Sequence, residues 1–134
     1  QASKIVAWRE DCCPHLNVIP IIETEPLGTA GALRNAAPFL HPPVLVLNGD
    51  TLPEYDLAGL VAFHDWEGDV EASIAWHDGK HAGAAMLSGA FLTRLAASPE
   101  RDLDALLIDA SQYRVSGFLD AGTPDGFYHV QQLT

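Results

Sequence analysis

Four aliphatic residues, Val44-Leu45-Val46-Leu47, lie between Pro42-Pro43 and Asn48-Gly49-Asp50. The run is too short for a buried helix and half β-branched. Turn residues stand at both ends, so it reads as a strand. Its unbroken apolar character predicts a strand covered on both faces, as in sheets flanked by helices. Asp50 then falls at the strand's C-terminal end, where open α/β sheets bind their ligands.

The surrounding pattern alternates in the same sense. Leu33, Ala36, Ala37 and Leu40 recur at helical spacing, so a helix is predicted from about Thr29, with Thr29 as its N-cap and Pro38 ending it. Asp56 can cap a helix carrying Leu57, Leu60, Val61 and His64 on one face, closed by Gly68. Val70, Ala72, Ile74 and Trp76 alternate with Glu71, Ser73 and Ala75, the period of a half-buried strand. Asp78-Gly79 is a hairpin signal, and residues 82–87 form a second apolar run. Ser88 opens a further helix. Ser98-Pro99 starts another, with Leu103, Leu106, Leu107 and Ala110 on its inner face. Residues 113–118 read as the last strand, and Thr123-Pro124 caps a final helix.

Upstream, residues 3–12 read as the tail of a helix with Ile5, Val6 and Trp8 inward, stopped by Pro14. Residues 17–22 read as a short strand, although Pro20 cannot donate to a ladder. The expectation is a single domain over residues 1–134, of α/β class, with a largely parallel sheet.

The formal net charge is −11, and only seven residues are Lys or Arg. A nucleic-acid footprint needs clustered basic side chains, so that class of partner is excluded. A phosphorylated small molecule remains open, because a metal ion can bridge carboxylates to phosphate. Cys12 and Cys13 are adjacent and fit no usual zinc spacing, so free thiols in a reducing cytoplasm are expected. No apolar run approaches the ~20 residues that span a bilayer, so no membrane partner is expected.

Three features can carry chemistry. Gly28 and Gly31 flank Thr29-Ala30 at a helix start, where free N–H groups can meet an anion or a base edge. The plain alternative is a tight strand-to-helix turn. Asp50 can anchor Mg²⁺, which commonly takes only one or two carboxylates, or it can belong to a turn that bonds its own backbone. Asp120 also follows a strand and could meet Asp50 at one sheet edge and share a metal. His64, on an apolar helical face, reads as a satisfied core histidine. His77 and His81 flank the hairpin turn and are expected to be exposed. No H-E-x-x-H, G-x-S-x-G or Walker A pattern occurs.

Together the motifs Glu25-Pro26-Leu27-Gly28-Thr29-Ala30-Gly31-Ala32-Leu33 and Val46-Leu47-Asn48-Gly49-Asp50-Thr51-Leu52 resemble the sugar-1-phosphate nucleotidyltransferases, the mannose- and heptose-1-phosphate guanylyltransferases among them. Leu119-Asp120-Ala121-Gly122-Thr123-Pro124 resembles that family's late D-x-G-T-P element. Lys80-His81-Ala82-Gly83-Ala84 is weakly similar to its N-A-G-x-Y strand. The resemblance implies a Rossmann-like three-layer α-β-α fold. It also implies transfer of a nucleoside monophosphate from a nucleoside triphosphate to a sugar 1-phosphate, with Mg²⁺ as cofactor and cytoplasmic location. By position, Glu25, Leu27, Gly28, Thr29, Asn48 and Gly49 would bind the nucleotide. Asp50 and Asp120 would be catalytic through the metal that both hold. The family's G-G-x-G-T-R-L and P-K elements and its E-K-P motif have no counterpart in residues 1–134, and His81 stands where an asparagine is usual. The expectation is therefore a fold incomplete at its N-terminus, a possible homo-oligomer, with little turnover by these residues alone. The alternative is a non-catalytic nucleotide-sugar-binding subunit of regulatory or assembly type.

Overall fold

The computed structural model describes residues 2–133. Its centre is a four-stranded sheet in the order β1-β4-β3-β5, where β1 is Val44–Leu47, β3 Ala72–His77, β4 Lys80–Leu87 and β5 Ser111–Arg114. A separate two-stranded ribbon pairs β2 (Thr51–Pro53) with β6 (Phe118–Asp120). The helices are α1 (Ala2–Cys12), α2 (Gly28–Ala36), α3 (Leu57–Glu67), α4 (Gly89–Ala97), α5 (Leu103–Leu106) and α6 (Pro124–Gln132).

The α/β class and the Rossmann-like layering stand, but the sheet is not mostly parallel in its pairing. β4 runs antiparallel to both neighbours, β1 and β3, and only β3 and β5 form a parallel ladder. The cause is local. Asp78 and Gly79 both have positive φ, +46° and +79°, which is the two-residue turn that folds β3 directly back into β4. A tight hairpin forces antiparallel neighbours, whereas parallel ones need a crossover. β1, β3 and β5 consequently point the same way, with one reversed strand set among them.

Helices cover both faces. On one, Ala30, Phe91, Leu95, Leu103 and Leu107 pack on Ala72, Ile74, Ala85 and Leu87. On the other, Leu60 of α3 packs on Ala75, Ala82, Ala84 and Met86, flanked by Tyr55, Val61, Tyr113 and Phe118. Small alanines on β3 and β4 let the helices approach the sheet closely. Fully burying Phe91 or Leu60 in this way contributes on the order of 1.5–3 kcal/mol each by area.

Five local expectations are corrected. The alternating strand β3 is buried on both faces, since Ser73 and Ala75 are as inaccessible as Ala72 and Ile74. The unbroken run β1 is half exposed, because it lies at the sheet's edge with Leu45 and Leu47 open to solvent. Residues 17–22 form no strand; Pro20 interrupts them and Val18, Ile19 and Ile22 are exposed. In α1, Ile5 and Trp8 face solvent rather than a core. The helix after Ser98-Pro99 is also delayed. Ser98 Oγ instead accepts from the Glu100 N–H, and Asp102 caps the single turn α5 by accepting from Asp104 N–H. The caps at Asp56, Ser88 and Thr123 form as expected.

Candidate functional site

The chain places its chemistry at the edge where β1 and β3 end and β4 begins. Beyond Leu47, the Asn48 N–H donates to the Gly83 carbonyl at 2.8 Å, which extends the β1–β4 ladder by one residue. Gly83 has φ +81°, and a Cβ there would lie 2.5 Å from Thr51 Cγ2. Glycine is thus required at position 83 for the chain at Asp50-Thr51 to cross β4 closely.

From there Asp50 and Asp120 are brought together. Thr51 pairs with Asp120 in the ribbon, and the Ala121 N–H donates to the Asp50 carbonyl at 2.7 Å. A Cβ built on Gly122 would lie 2.9 Å from Asp50 Oδ2 and 3.0 Å from Asp120 Oδ1. Both carboxylates therefore border the one space that the missing side chain of Gly122 leaves. The Gly122 N–H donates to Asp120 Oδ1 at 2.9 Å and orients that carboxylate. Two hard oxygen donors converging on a small space suit Mg²⁺, which completes its octahedron with water and phosphate oxygens. Among the described residues, no cluster of three or more His, Cys, Asp or Glu has metal-binding geometry.

Opposite Asp50 stands the glycine turn. A cleft of about 670 Å³ is lined by Thr29, Leu33, Val46, Asn48, Gly49 and Asp50, so one wall comes from α2 and the other from β1 and its end. Glu25 and Leu27 line a second cleft of about 530 Å³ with Arg34, Asn35 and Arg101, on a different face of α2. The residues singled out from sequence therefore divide between sites: Thr29, Asn48 and Gly49 share a cleft with Asp50, which also meets Asp120, whereas Glu25 and Leu27 line the second cleft.

Thr29 does not cap α2. The helix begins at Gly28, and the Thr29 hydroxyl instead accepts from the Leu103 N–H at 2.8 Å. The Ala30 N–H, in the first turn, donates to the Arg101 carbonyl at 2.9 Å. This leaves the N–H groups of Gly28 and Thr29 as the donors of this turn open to a ligand. The contribution of residues 100–103 could not be read from spacing. Their partners lie 74 positions away, and Ser98-Pro99 signals only a turn.

His81 is not exposed as expected. Its Nδ1 lies 3.0 Å from Asp104 Oδ1 and its Nε2 lies 3.1 Å from the Ala84 carbonyl, so both ring nitrogens have partners. His77 is half-buried, with Nδ1 2.9 Å from the Val115 carbonyl. Cys12 and Cys13 are free thiols, as expected. Tyr55 donates its hydroxyl to the Ala82 carbonyl at 2.7 Å, and burial raises its pKa. No helix of the described residues is long and apolar enough to cross a membrane.

Comparison with known proteins agrees with the resemblance carried by the motifs. No family profile matches the chain. The mannose-1-phosphate guanyltransferase of Schizosaccharomyces pombe is 46% identical over 57 residues, which is 40% of this chain and 16% of that protein. The Saccharomyces cerevisiae enzyme of the same name is 43% identical over 63 residues, 45% of this chain and 18% of that protein. The matched stretch thus spans less than a fifth of either relative. In structure the likeness extends over the whole chain. HddC from Yersinia pseudotuberculosis superposes with a TM-score of 0.73 at 22% identity, covering 100% of this chain and 75% of that one. The same protein complexed with GMP-PN gives a TM-score of 0.73 at 21% identity over the same shares of the two chains. The chain therefore shares sequence with mannose-1-phosphate guanyltransferases over less than half its length, and its fold with HddC.

Proposed function

We propose that the chain carries the nucleotide and metal side of a sugar-1-phosphate nucleotidyltransferase. The observation that carries the reading is the convergence of Asp50 and Asp120 on Gly122, across a cleft from the glycine turn. The reaction is an in-line displacement. A phosphate oxygen of the sugar 1-phosphate forms a bond to the α-phosphorus of a nucleoside triphosphate, and the bond to the β-phosphate oxygen breaks. The products are a nucleotide sugar and pyrophosphate. Little covalent chemistry falls to the protein, so positioning and charge neutralisation supply most of the rate.

In this reading the N–H groups of Gly28 and Thr29 meet the nucleobase, with Glu25 and Leu27 beside them and Asn48 and Gly49 flooring the cleft. Asp50 and Asp120 would hold Mg²⁺. Bound there, the ion would supply neutralisation of the negative charge that develops on the phosphates. The Gly122 N–H keeps Asp120 aimed at the shared space before any ligand arrives. The free thiols at positions 12 and 13 accord with a cytoplasmic setting.

The test is pyrophosphate release from mannose 1-phosphate with GTP and Mg²⁺, and from other sugar 1-phosphates with a panel of triphosphates. The natural protein containing this chain is the material to use. Turnover that disappears in both Asp50→Asn and Asp120→Asn is expected. Absence of turnover with every pair would remove the reading. One observation favours a second reading, a non-catalytic nucleotide-sugar-binding subunit: both His81 nitrogens are already engaged, so that side chain offers nothing to a sugar. Nucleotide-sugar binding without turnover would select it.

A further inference from the structure

The geometry points to Arg101 as the positioning residue that sets the shape of the glycine turn and so the orientation of its ligand-facing N–H groups. The inference rests on the nucleotide-binding reading of that turn. The Arg101 Nε–H donates to the Leu27 carbonyl at 3.2 Å, and a terminal guanidinium N–H donates to the Pro26 carbonyl. One planar fork thus grips two successive carbonyls. In a trans peptide the C=O and the following N–H point in opposite directions. With both carbonyls drawn to Arg101, the N–H groups of Leu27 and Gly28 turn away from it. Leu27 N–H is met by Glu23 Oε2 at 3.2 Å. Of these two, Gly28 N–H is left to face a ligand, beside that of Thr29.

The backbone of the same segment completes the grip. The Arg101 carbonyl accepts from Ala30 N–H at 2.9 Å, and Leu103 N–H donates to the Thr29 hydroxyl at 2.8 Å. A Cβ on Gly28 would lie 2.5 Å from the Arg101 carbonyl oxygen, so the two segments touch without space for a side chain. Residue 101 is itself anchored. Glu100 Oε1 accepts from the Arg101 N–H at 2.7 Å and the Asp102 N–H at 3.0 Å, and Arg34 donates to the Glu100 carbonyl at 2.6 Å. An arginine is needed, because a lysine is a point donor and cannot hold two carbonyls in one plane.

The experiment compares Arg101→Lys and Arg101→Met with the unaltered protein in two measurements. Amide hydrogen exchange without ligand is the first. Faster exchange confined to residues 27–31, with α3 and β3 unchanged, is expected in both variants. Unchanged exchange at 27–31 would overturn the inference whether or not nucleotide binds. The second is steady-state kinetics with GTP, Mg²⁺ and mannose 1-phosphate in the natural protein. A rise of about tenfold in the KM for GTP with kcat within about threefold is expected for Arg101→Met, with a smaller rise for lysine. An equal fall in kcat at constant KM would overturn the positioning role. Normal exchange behaviour of the turn together with no turnover by the unaltered protein would instead count against both readings. Altered exchange without turnover would count against the activity alone.

Discussion

His64 Nδ1 lies 2.9 Å from Ser73 Oγ, and this buried polar contact joins α3 to the sheet's interior strand β3. Ser73 is fully inaccessible and His64 is 5% exposed, so neither has water to fall back on. Ser73→Ala should cost about 1–3 kcal/mol, the penalty for leaving a buried polar group unpaired. Urea unfolding followed by circular dichroism measures it. A midpoint equal to that of the unaltered chain would mean that the imidazole finds another partner.

Asp50→Asn and Asp120→Asn should each weaken Mg²⁺-dependent nucleotide binding by tenfold or more, since each removes one of two anionic donors to a hard cation. Gly122→Ala should do so with both carboxylates intact, because its methyl group would occupy the space they border. Titration calorimetry with GTP, with and without Mg²⁺, reads all three. If Gly122→Ala binds as tightly as the unaltered protein, the shared space is not where the ion sits.

Gly28→Ala meets two penalties at once. Its φ of +77° is strained for alanine, and its Cβ would stand 2.5 Å from the Arg101 carbonyl oxygen. Loss of about 1–3 kcal/mol is expected. The nearby Gly31 offers a useful contrast. Its Cβ would meet the Leu27 side chain at 2.8 Å, and a side chain can shift where a carbonyl cannot. Thermal melts of both variants should rank Gly28→Ala as the more damaging; the reverse order would contradict a rigid contact between the two segments.

Glu100 gives the turn a dependence on acid. The Asp102 N–H, and then the Arg101 N–H, hold its carboxyl below the usual glutamate range. A carboxyl depressed in the folded state stabilises it above the unfolded pKa, and that contribution disappears as pH falls through the folded pKa. The grip on the glycine turn should therefore loosen only below the ordinary glutamate range, and be unchanged from neutral pH down to it. NMR shifts of the Asp102 and Arg101 amides against pH check this. Glu100→Gln should flatten both titrations; a titration persisting in that variant would assign it to another group.

How far the sequence reveals this fold depends on what each signal measures. The caps at Asp56, Ser88 and Thr123 are legible because a cap acts within three residues of itself. Burial is not local. β1 is apolar throughout yet half exposed at the sheet edge, whereas β3 alternates in polarity yet is buried on both faces between β4 and β5. Position in the sheet decides exposure, and the Ser73 hydroxyl is tolerated only because His64 meets it. The paired aspartates are legible as strand-end residues, but their meeting needs the β2–β6 ribbon, which no spacing announces. Arg101 carries no local signal, since both its acceptors are backbone carbonyls and any residue provides those.

The grip of Arg101 on Leu27 closes a span of 74 positions, and the meeting of Asp50 with Asp120 closes one of similar length. Contacts of such separation form late, because the chain must lose the entropy of a long loop before they offset it. The hairpin of β3 and β4 and the helices can assemble first, with the clefts still unformed. On the nucleotide-binding reading, ligand affinity is then a report on completed folding. A nascent or partly unfolded chain can hold most of its secondary structure and still present no site at all, so nucleotide would select the finished molecule from the population of nearly folded ones.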